Sequence, residues 1–448
     1  MQKHSLIENP YRPGAGHAPP YLAGRRSEQD QFLRLLHQPI ITQNILLTGL
    51  RGFGKTVLLD QMKATAEANN WLWVGNDLSE SSALTEERLA LRILTDLAQA
   101  IATRMEANWG PTQVAHDRLQ QRIEQITRDD GSAFTFDALK AHYEQAAGLP
   151  SDRLRSVLMH VTRLAHKVRI SGLILGYDEA QCLCDHAERN EYPMSMLIET
   201  VSALQKKDGL TPCLLVLCGL PQVFDALIET RTYTERMFQV MTLDRLSKDE
   251  TRAALTTPIQ KFSARLHTPP ELIEKVVNLS GGYPYLIQFF GRELVEQLLE
   301  SGGTLSADKF PSAGAVERLD AGLFSARWNR TTDKQRELLG LIASRPLQSS
   351  NDFSARELEQ LRGNDADATA LNFNQMLLGL CERGLLYRTR HGRYAFTVPM
   401  SEAMILRRLR REEDISASWE VRAPSPPQHH HVPTNKTSTA RQKRGWFR

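Results

Sequence analysis

The sequence predicts an α/β protein in which a parallel β-sheet carries helices on both faces. Five short apolar runs have the length and composition of buried strands, and helical patterns separate them. A glycine-rich loop follows the first run, and two acids end the third. From Ser247 the pattern becomes helical, which places the sheet in the first half of the chain. The predicted strands cover residues 45–48, 71–74, 173–177, 213–218 and 238–243.

The glycine-rich loop at residues 49–56 reads GLRGFGKT and fits the phosphate-binding pattern G-x-x-x-x-G-K-[ST] at every fixed position. Glycines allow backbone N–H groups to curve around an anion, and the N-terminus of the following helix adds its positive dipole end. In this pattern Lys55 reaches the β- and γ-phosphates, and the Thr56 hydroxyl binds Mg²⁺. The loop therefore predicts a site for a phosphorylated ligand and Mg²⁺.

The third apolar run ends in Asp178 and Glu179. Open α/β sheets bind their ligands at the carboxyl ends of the strands, so these acids are expected beside the phosphate loop. Asp178 is predicted to hold the Mg²⁺ shell, and Glu179 to act as general base on an attacking water. Two acids at this position indicate hydrolysis in addition to binding.

Composition narrows the functional class. The 448 residues are 41% hydrophobic and 24% charged with a net charge of +3, as in ordinary soluble globular proteins. No apolar run approaches the roughly 18 residues that a membrane-spanning helix needs. The N-terminus lacks the apolar core of a signal peptide, so we expect a cytoplasmic protein without a membrane partner. The five cysteines are expected to be free thiols.

Breaks in the patterns divide the chain into six segments. Pro and Gly enrich the first segment, helical spacing fills much of the second, and Gly281-Gly282-Tyr283-Pro284 interrupts the third. The predicted segments are an extended arm (1–20), a base domain with the sheet and a helical stretch at 79–170 (21–243), a helical lid (244–304), a linker (305–330), a C-terminal unit (331–411) and a disordered basic tail (412–448).

The C-terminal unit is predicted to contain three helices followed by a β-hairpin, the plan of a winged helix. Its cations are the electrostatic footprint expected of phosphate contacts, which indicates duplex DNA as a partner of residues 331–411. A winged helix also serves as a protein-docking module, so both functions stay open. The cations lie in the hairpin and the last helix: Arg388, Arg390, His391, Arg393, Arg407, Arg408, Arg410 and Arg411.

The spacing of these motifs resembles P-loop ATPases of the AAA+ or STAND type, and among them the initiator-like ATPases related to origin-recognition proteins and the archaeal-type ATPases. The resemblance implies ATP with Mg²⁺ as the cofactors. It also implies that Tyr21 and Leu22 pack on the adenine, and that Pro284 contacts nucleotide from the lid. The residues implied to hold the phosphates are Gly49, Arg51, Gly52, Phe53, Gly54, Lys55, Thr56 and Val57.

Three functional positions of this family need separate comment: the sensor on the fourth strand, the sensor arginine of the lid and the arginine finger. The strand that normally carries a polar sensor ends in Cys218-Gly219, which implies slow hydrolysis. The nearest lid arginine, Arg292, lies too far along its helix to serve as a sensor. Arg231 and Arg236 precede the fifth strand, where the family keeps an arginine finger for a neighbouring subunit. Arg236 is the favoured candidate, and it implies a homo-oligomer.

Together these patterns predict a switch that binds ATP, hydrolyses it slowly and couples its nucleotide state to duplex DNA. The alternative is a nucleotide-gated signalling scaffold whose winged helix docks a protein.

Overall fold

The computed structural model describes residues 9–14, 16–106, 134–167, 170–206, 212–230, 234–262, 268–345, 352–362 and 373–410. The start of the predicted arm, part of the helical stretch 79–170, Arg231 and the basic tail lie outside these residues. No helix in the part of the chain that the structure describes has the length and apolar character needed to cross a membrane.

A parallel sheet of five strands forms the base domain, as predicted. Its order is β2-β3-β4-β1-β5, so β1 lies between β4 and β5. This arrangement brings the carboxyl end of β1 next to that of β4, with β3 one strand further. The strands are β1 (Asn44–Thr48), β2 (Trp71–Val74), β3 (Gly172–Tyr177), β4 (Cys213–Gly219) and β5 (Phe238–Thr242).

Alternate residues of the central strands enter two different hydrophobic cores. On β1, Ile45 and Leu47 face one core and Leu46 faces the other, because side chains alternate along a strand. Helices cover both faces, which explains why the sequences of β1, β3 and β4 are almost wholly apolar. The predicted α/β fold class is thereby confirmed.

The helices of the base domain follow the predicted pattern. They are α1 (Arg26–Leu36), α2 (Lys55–Ala68), α3 (Glu80–Ala83), α4 (Glu86–Glu106), α5 (Phe136–Gln145), α6 (Pro150–Lys167), α7 (Pro193–Gln205), α8 (Gln222–Thr230) and α9 (Thr234–Met237). Helices α1 and α2 belong to the first core, whereas α4, α5, α6 and α7 fill the second.

Three helices form the lid: α10 (Lys248–Phe262), α11 (Pro270–Ser280) and α12 (Pro284–Glu300). A capping box is present at the start of α10, since Ser247 and Glu250 exchange hydrogen bonds between side chain and backbone. Gly281 and Gly282 both have left-handed backbones, with φ of 53° and 75°, and they separate α11 from α12.

The segment 305–330, which the sequence predicts as a linker, is largely helical. Helix α13 (Ala313–Leu319) continues through a π-helical turn (Asp320–Ser325) into the short α14 (Ala326–Trp328). Leu319, Phe324 and Trp328 are buried, and this burial stabilises the helical form. Its scattered Gly, Ser and Pro residues concealed that apolar face.

The C-terminal unit contains the three predicted helices and the predicted hairpin. The elements are α15 (Asp333–Ala343), β6 (Phe353–Ser354), α16 (Ala355–Arg362), α17 (Phe373–Glu382), β7 (Leu386–Arg390), β8 (Arg393–Phe396) and α18 (Ser401–Arg410). The sequence did not predict β6, which pairs antiparallel with β8 at the edge of the small sheet. Gly384 ends the third-helix region with a φ of 70°.

One hydrophobic cluster runs from the sheet through the lid into the C-terminal unit. Leu47 of β1, Leu286 of α12 and Phe353 of β6 all belong to it and are buried. The three parts therefore share a continuous apolar core, which resists independent movement of any one of them.

Candidate functional site

The phosphate loop leaves β1 and enters α2 through two left-handed glycines. Gly52 and Gly54 both have a φ of 83°, which residues with a Cβ rarely adopt. A Cβ at Gly54 would meet no other atom within 4 Å, so open space faces the N-terminus of α2. Such a space, beside free helical N–H groups, suits an anion of phosphate size.

Lys55 and Thr56 begin α2 at the edge of this space. The Lys55 ammonium donates a hydrogen bond to the Leu50 carbonyl at 3.1 Å. Burial lowers the pKa of Lys55, and the nearby Asp178 and Glu179 carboxylates oppose that shift. An anionic ligand would likewise favour the charged form of Lys55.

Thr56 and Asp178 place two oxygen atoms side by side that could bind a divalent cation. The Thr56 hydroxyl donates a hydrogen bond of 2.6 Å to Asp178 Oδ2, although the residues are far apart in sequence. Asp178 is buried at the end of β3, and its other oxygen accepts the Glu179 N–H at 2.7 Å. Hard oxygen donors of this kind fit Mg²⁺, which completes its octahedron with water and phosphate oxygens.

Glu179 follows directly and has a left-handed backbone with φ 54° and ψ 37°. This conformation costs a residue other than glycine about 1–2 kcal/mol. It turns the exposed Glu179 side chain to the same cavity as Lys55 and Asp178. A carboxylate on the cavity wall could act as a general base on a water bound in the cavity.

A single cavity of about 390 Å³ unites these residues with the lid and the N-terminal arm. Of the predicted nucleotide-binding set, only Gly49 does not line it. A Cβ on Gly49 would lie 2.8 Å from the Leu243 carbonyl, so this glycine permits close packing behind the loop. The lining residues from the predicted set are Tyr21, Leu22, Arg51, Gly52, Phe53, Gly54, Lys55, Thr56, Val57, Asp178, Glu179 and Pro284.

The N-terminal arm closes one side of the cavity. Tyr11 is buried against Gly291 of α12, where a Cβ would come within 2.7 Å of the tyrosine ring. Its hydroxyl donates a hydrogen bond to the Leu255 carbonyl in α10. Arg12, Pro13 and His17 then continue along the cavity wall. The sequence predicted an extended arm but gave no signal that Tyr11 anchors it to the lid.

Tyr283 joins the lid to the phosphate loop. Its hydroxyl donates a hydrogen bond to the Arg51 carbonyl, and its ring meets Phe53 edge-on with centroids 5.4 Å apart. Behind it, the Leu246 N–H donates to the Gly282 carbonyl at 2.8 Å. The sequence analysis singled out Pro284 of this element and overlooked the tyrosine beside it.

Arg25 is a second residue that the sequence analysis did not assign. Its buried guanidinium donates to the Phe53 carbonyl at 3.2 Å and to the Asp244 carbonyl at 2.7 Å. Burial lowers its pKa, which the Glu28 carboxylate and other nearby acids oppose. Arg25 thereby fixes the phosphate loop to the segment that enters the lid. Its place in the Tyr21-Leu22-Ala23-Gly24-Arg25 motif was the available signal.

The predicted sensor and finger positions lie outside the cavity lining. Cys218 is buried at the end of β4, where burial first and the Asp178 charge second raise the pKa of its thiol. Arg292 pairs with Glu296 at 2.8 Å on the lid surface. Arg236 is exposed on α9, and its predicted role requires a second subunit. All five cysteines are free, as predicted.

A known family model matches the part of the chain that contains this site. The profile of the family "AAA ATPase domain" matches residues 21–204, which include the phosphate loop and both acids. Residues 21–204 are thus similar to an AAA ATPase domain. A second profile, a domain of unknown function (DUF8462), matches residues 321–405. No curated protein matches the sequence.

Solved structures extend the likeness over most of the chain. The ORC2 protein of Aeropyrum pernix with ADPNP and ADP is 14% identical, has a TM-score of 0.52, and aligns over 89% of this chain and 98% of its own. Its ADP form is also 14% identical, with a TM-score of 0.50 and coverage of 89% and 97%. At this identity the likeness shows the shared fold that the predicted resemblance implies.

Proposed function

We propose that this protein is a switch that binds ATP with Mg²⁺, hydrolyses it slowly and couples its nucleotide state to duplex DNA. The observation that carries the proposal is the convergence of Lys55, Thr56, Asp178 and Glu179 on one cavity beneath the lid. These four residues come from α2 and from the end of β3, and they provide a cation, two metal ligands and a base.

In the proposed reaction a water oxygen bonds to the γ-phosphorus, and the bond from that phosphorus to the β–γ bridging oxygen breaks. ADP leaves with the electron pair, and Glu179 accepts one proton of the attacking water. Lys55 would stabilise the charge on the phosphate oxygens, and Thr56 and Asp178 would hold the Mg²⁺, which would supply further positive charge there. The buried thiol of Cys218 offers little help in orienting water, which is the reason for expecting slow turnover.

Two variants test the chemistry. Lys55→Ala should abolish ATP binding, because it removes the half-buried cation at the phosphates, whereas Lys63→Ala, farther along the same helix, should bind normally. Glu179→Gln should bind ATP but stop turnover, since an amide cannot accept the proton. Normal hydrolysis by Glu179→Gln would contradict the assignment of this residue.

The proposed coupling passes through Arg327 of α14. Its guanidinium donates to the Gly384 carbonyl of the C-terminal unit at 3.4 Å. Burial lowers the pKa of Arg327, while the nearby Tyr283 raises it and the Arg51 cation of the phosphate loop lowers it further. Arg327 thus stands between the lid tyrosine and the C-terminal unit. A shift of the lid upon ATP binding would therefore be felt at the third helix and the hairpin.

We infer that the C-terminal unit is a winged helix. The order of helix, strand, two helices and hairpin, with the first strand paired to the hairpin, supports this assignment. Arg388, Arg390 and His391 are exposed on the hairpin, where they can meet phosphates.

Three of the cations counted in the sequence have internal roles. Arg393 pairs with Asp352 and Glu357, each at 2.8 Å. The buried Arg407 pairs with Asp320 at 2.7 Å, and Arg408 bonds Ser325, so both hold α18 against the π-helical turn. The footprint for DNA therefore reduces to the tip of the hairpin among the described residues.

The test of DNA binding is the double variant Arg388→Ala/Arg390→Ala. It should weaken the binding of duplex DNA to the same extent for every DNA sequence. It should also reduce the slope of log K against log salt concentration by about 2, at about 0.9 per lost phosphate contact. Arg292→Ala, on the lid surface, is the matched control and should change neither value. Steady-state ATP hydrolysis with and without DNA then tests the coupling: stimulation supports the switch, and turnover indifferent to DNA counts against it.

The second candidate function is a nucleotide-gated scaffold whose C-terminal unit docks a protein. Two exposed leucines favour it: Leu378 on α17 is 40% exposed and Leu361 on α16 is 43% exposed. An apolar contribution to the face of the third helix suits a protein better than phosphates. Nucleotide-dependent oligomers that ignore DNA would support this function, and DNA binding with a steep salt dependence would count against it.

The proposed arginine finger has its own test, which also tests a homo-oligomer. If Arg236 completes a neighbour's site, Arg236→Ala should lose turnover but retain ATP binding. Mixing it with Lys55→Ala should restore part of the activity, because each intact site then meets an intact finger. No recovery in mixtures that do form oligomers would contradict this role.

A further inference from the structure

The side chain of Gln181 connects the candidate base to a different strand. Gln181 lies in the turn after β3, at Ala180–Cys182. Its amide nitrogen donates a hydrogen bond to the Glu179 carboxylate, and its amide oxygen accepts the Leu220 N–H at 3.1 Å. Leu220 directly follows β4. One amide group therefore ties the carboxylate of Glu179 to the end of the strand that normally carries a polar sensor.

Gly219 makes this bridge possible. A Cβ at Gly219 would lie 2.9 Å from the Gln181 amide oxygen, closer than such atoms approach without displacement. The glycine that leaves β4 without a sensor side chain thus leaves room for a polar group from the neighbouring turn. The polar side chain at the end of β4 is therefore that of Gln181, which belongs to the neighbouring turn and not to β4 itself.

We propose that Gln181 is a positioning residue that holds Glu179 toward the bound nucleotide. The inference rests on the proposed ATP hydrolysis. Glu179 lines the cavity and Gln181 does not, so Gln181 acts through Glu179. Glu179 needs such support, because its backbone is left-handed and its side chain is exposed and otherwise free to rotate.

Gln181→Leu removes both hydrogen bonds and keeps a side chain of similar size. We expect kcat to fall about 10-fold, a part of the 10²–10⁴-fold that a general base contributes, with the KM for ATP changed less than about two-fold. Binding of a fluorescent ATP analogue should stay unchanged. Gln222→Leu, an exposed glutamine shortly after Leu220, is the matched control and should keep the wild-type kcat.

A double variant separates positioning from general stabilisation of the fold. In a Glu179→Gln background there is no base to position, so adding Gln181→Leu should lower the residual rate no further. The same fold-loss in both backgrounds would overturn the inference, and so would an unchanged kcat in Gln181→Leu alone. If Gln181→Leu does not fold, Gln181→Asn takes its place, since the shorter amide cannot reach both partners.

The outcomes also distinguish this inference from the proposed function. If the wild-type protein hydrolyses ATP and the Gln181→Leu variant has the same kcat, only the positioning role of Gln181 is contradicted. If the wild-type protein binds Mg²⁺-ATP without hydrolysing it, the proposed hydrolysis is contradicted, and so is the positioning role of Gln181.

Discussion

The Tyr283 hydroxyl of the lid donates a hydrogen bond to the backbone carbonyl of Arg51 in the phosphate loop. The tyrosine ring also meets Phe53 of the same loop at an interplanar angle of 70°. Arg51 and Phe53 both line the cavity, so the lid is attached to the peptide segment that would surround the phosphates. Lid position and loop conformation are consequently linked by direct contacts.

Tyr283→Phe should weaken this link while keeping the ring in place. We expect a loss of about 1 kcal/mol in the free energy of unfolding, the usual net value of one hydrogen bond. The rise in Tm that ATP produces should also become smaller, because lid and loop respond less together. Thermal unfolding with and without Mg²⁺-ATP measures both. Tyr192→Phe, at an exposed tyrosine outside the cavity lining, is the control, and an equal change in that variant would contradict the prediction.

Alkaline pH should break the same contact. Burial raises the pKa of Tyr283 to about 12, while Arg327 and Arg245 oppose the shift. The stabilising effect of the neutral hydroxyl is full below the unfolded pKa of about 10 and is lost as pH rises through about 12. The stability difference between wild type and Tyr283→Phe should therefore shrink between these two values. Denaturant unfolding of both proteins across that range measures it, and a constant difference would argue against burial as the cause.

Gly282→Ala should disrupt the junction between lid and base domain. The residue has a φ of 75°, and a Cβ there would lie 2.1 Å from the Leu246 carbonyl oxygen. Gly302 provides a matched control, since its φ is 66° but a Cβ there meets nothing within 4 Å. Gly302→Ala should cost about 1–2 kcal/mol for the left-handed backbone alone, and Gly282→Ala clearly more. Equal losses in urea unfolding would mean that the Leu246 contact has no energetic weight.

Removing the arm's anchor should affect nucleotide binding as well as stability. Tyr11→Ala deletes a buried ring and should cost about 3–5 kcal/mol, in the range of large aromatic truncations. Because the arm also walls the cavity, the Kd for ATP should rise several-fold. Tyr11→Phe keeps the packing against Gly291 and loses only the hydrogen bond to Leu255, so its Kd should stay near wild type. Calorimetric titration with ATP measures these constants, and an unchanged Kd in Tyr11→Ala would separate the arm from the site.

The fold and the centre of the site could be predicted from the sequence because their signals are local. The GLRGFGKT loop specifies its own turn, and the apolar runs around it specify strands, since each pattern reports burial and backbone geometry within a few residues. The capping pairs Ser247–Glu250 and Ser354–Glu357 are local in the same way, because their partners lie three residues apart.

The helical form of 305–330, which the sequence predicts only as a linker, illustrates the opposite case, because its apolar contacts are not local. Leu319, Phe324 and Trp328 bury their side chains in the core shared with the C-terminal unit. Long-range contacts also decide the roles of two basic residues, Arg393 and Arg407, which the sequence pattern assigns to the surface. Their acidic partners, which are Asp352 and Glu357 for Arg393 and Asp320 for Arg407, lie far away in the sequence.

The sequence by itself determined the phosphate loop, the acid pair, the parallel sheet and the order of the parts, because short-range patterns encode all of these. Only the tertiary structure decided that Tyr11 and Tyr283 close the cavity, that Arg25 fastens the loop, and that Gln181 bridges Glu179 to β4. Each of these depends on which side chains meet across elements far apart in the chain. Such long-range contacts depend on packing geometry, which cannot be read from a local sequence pattern.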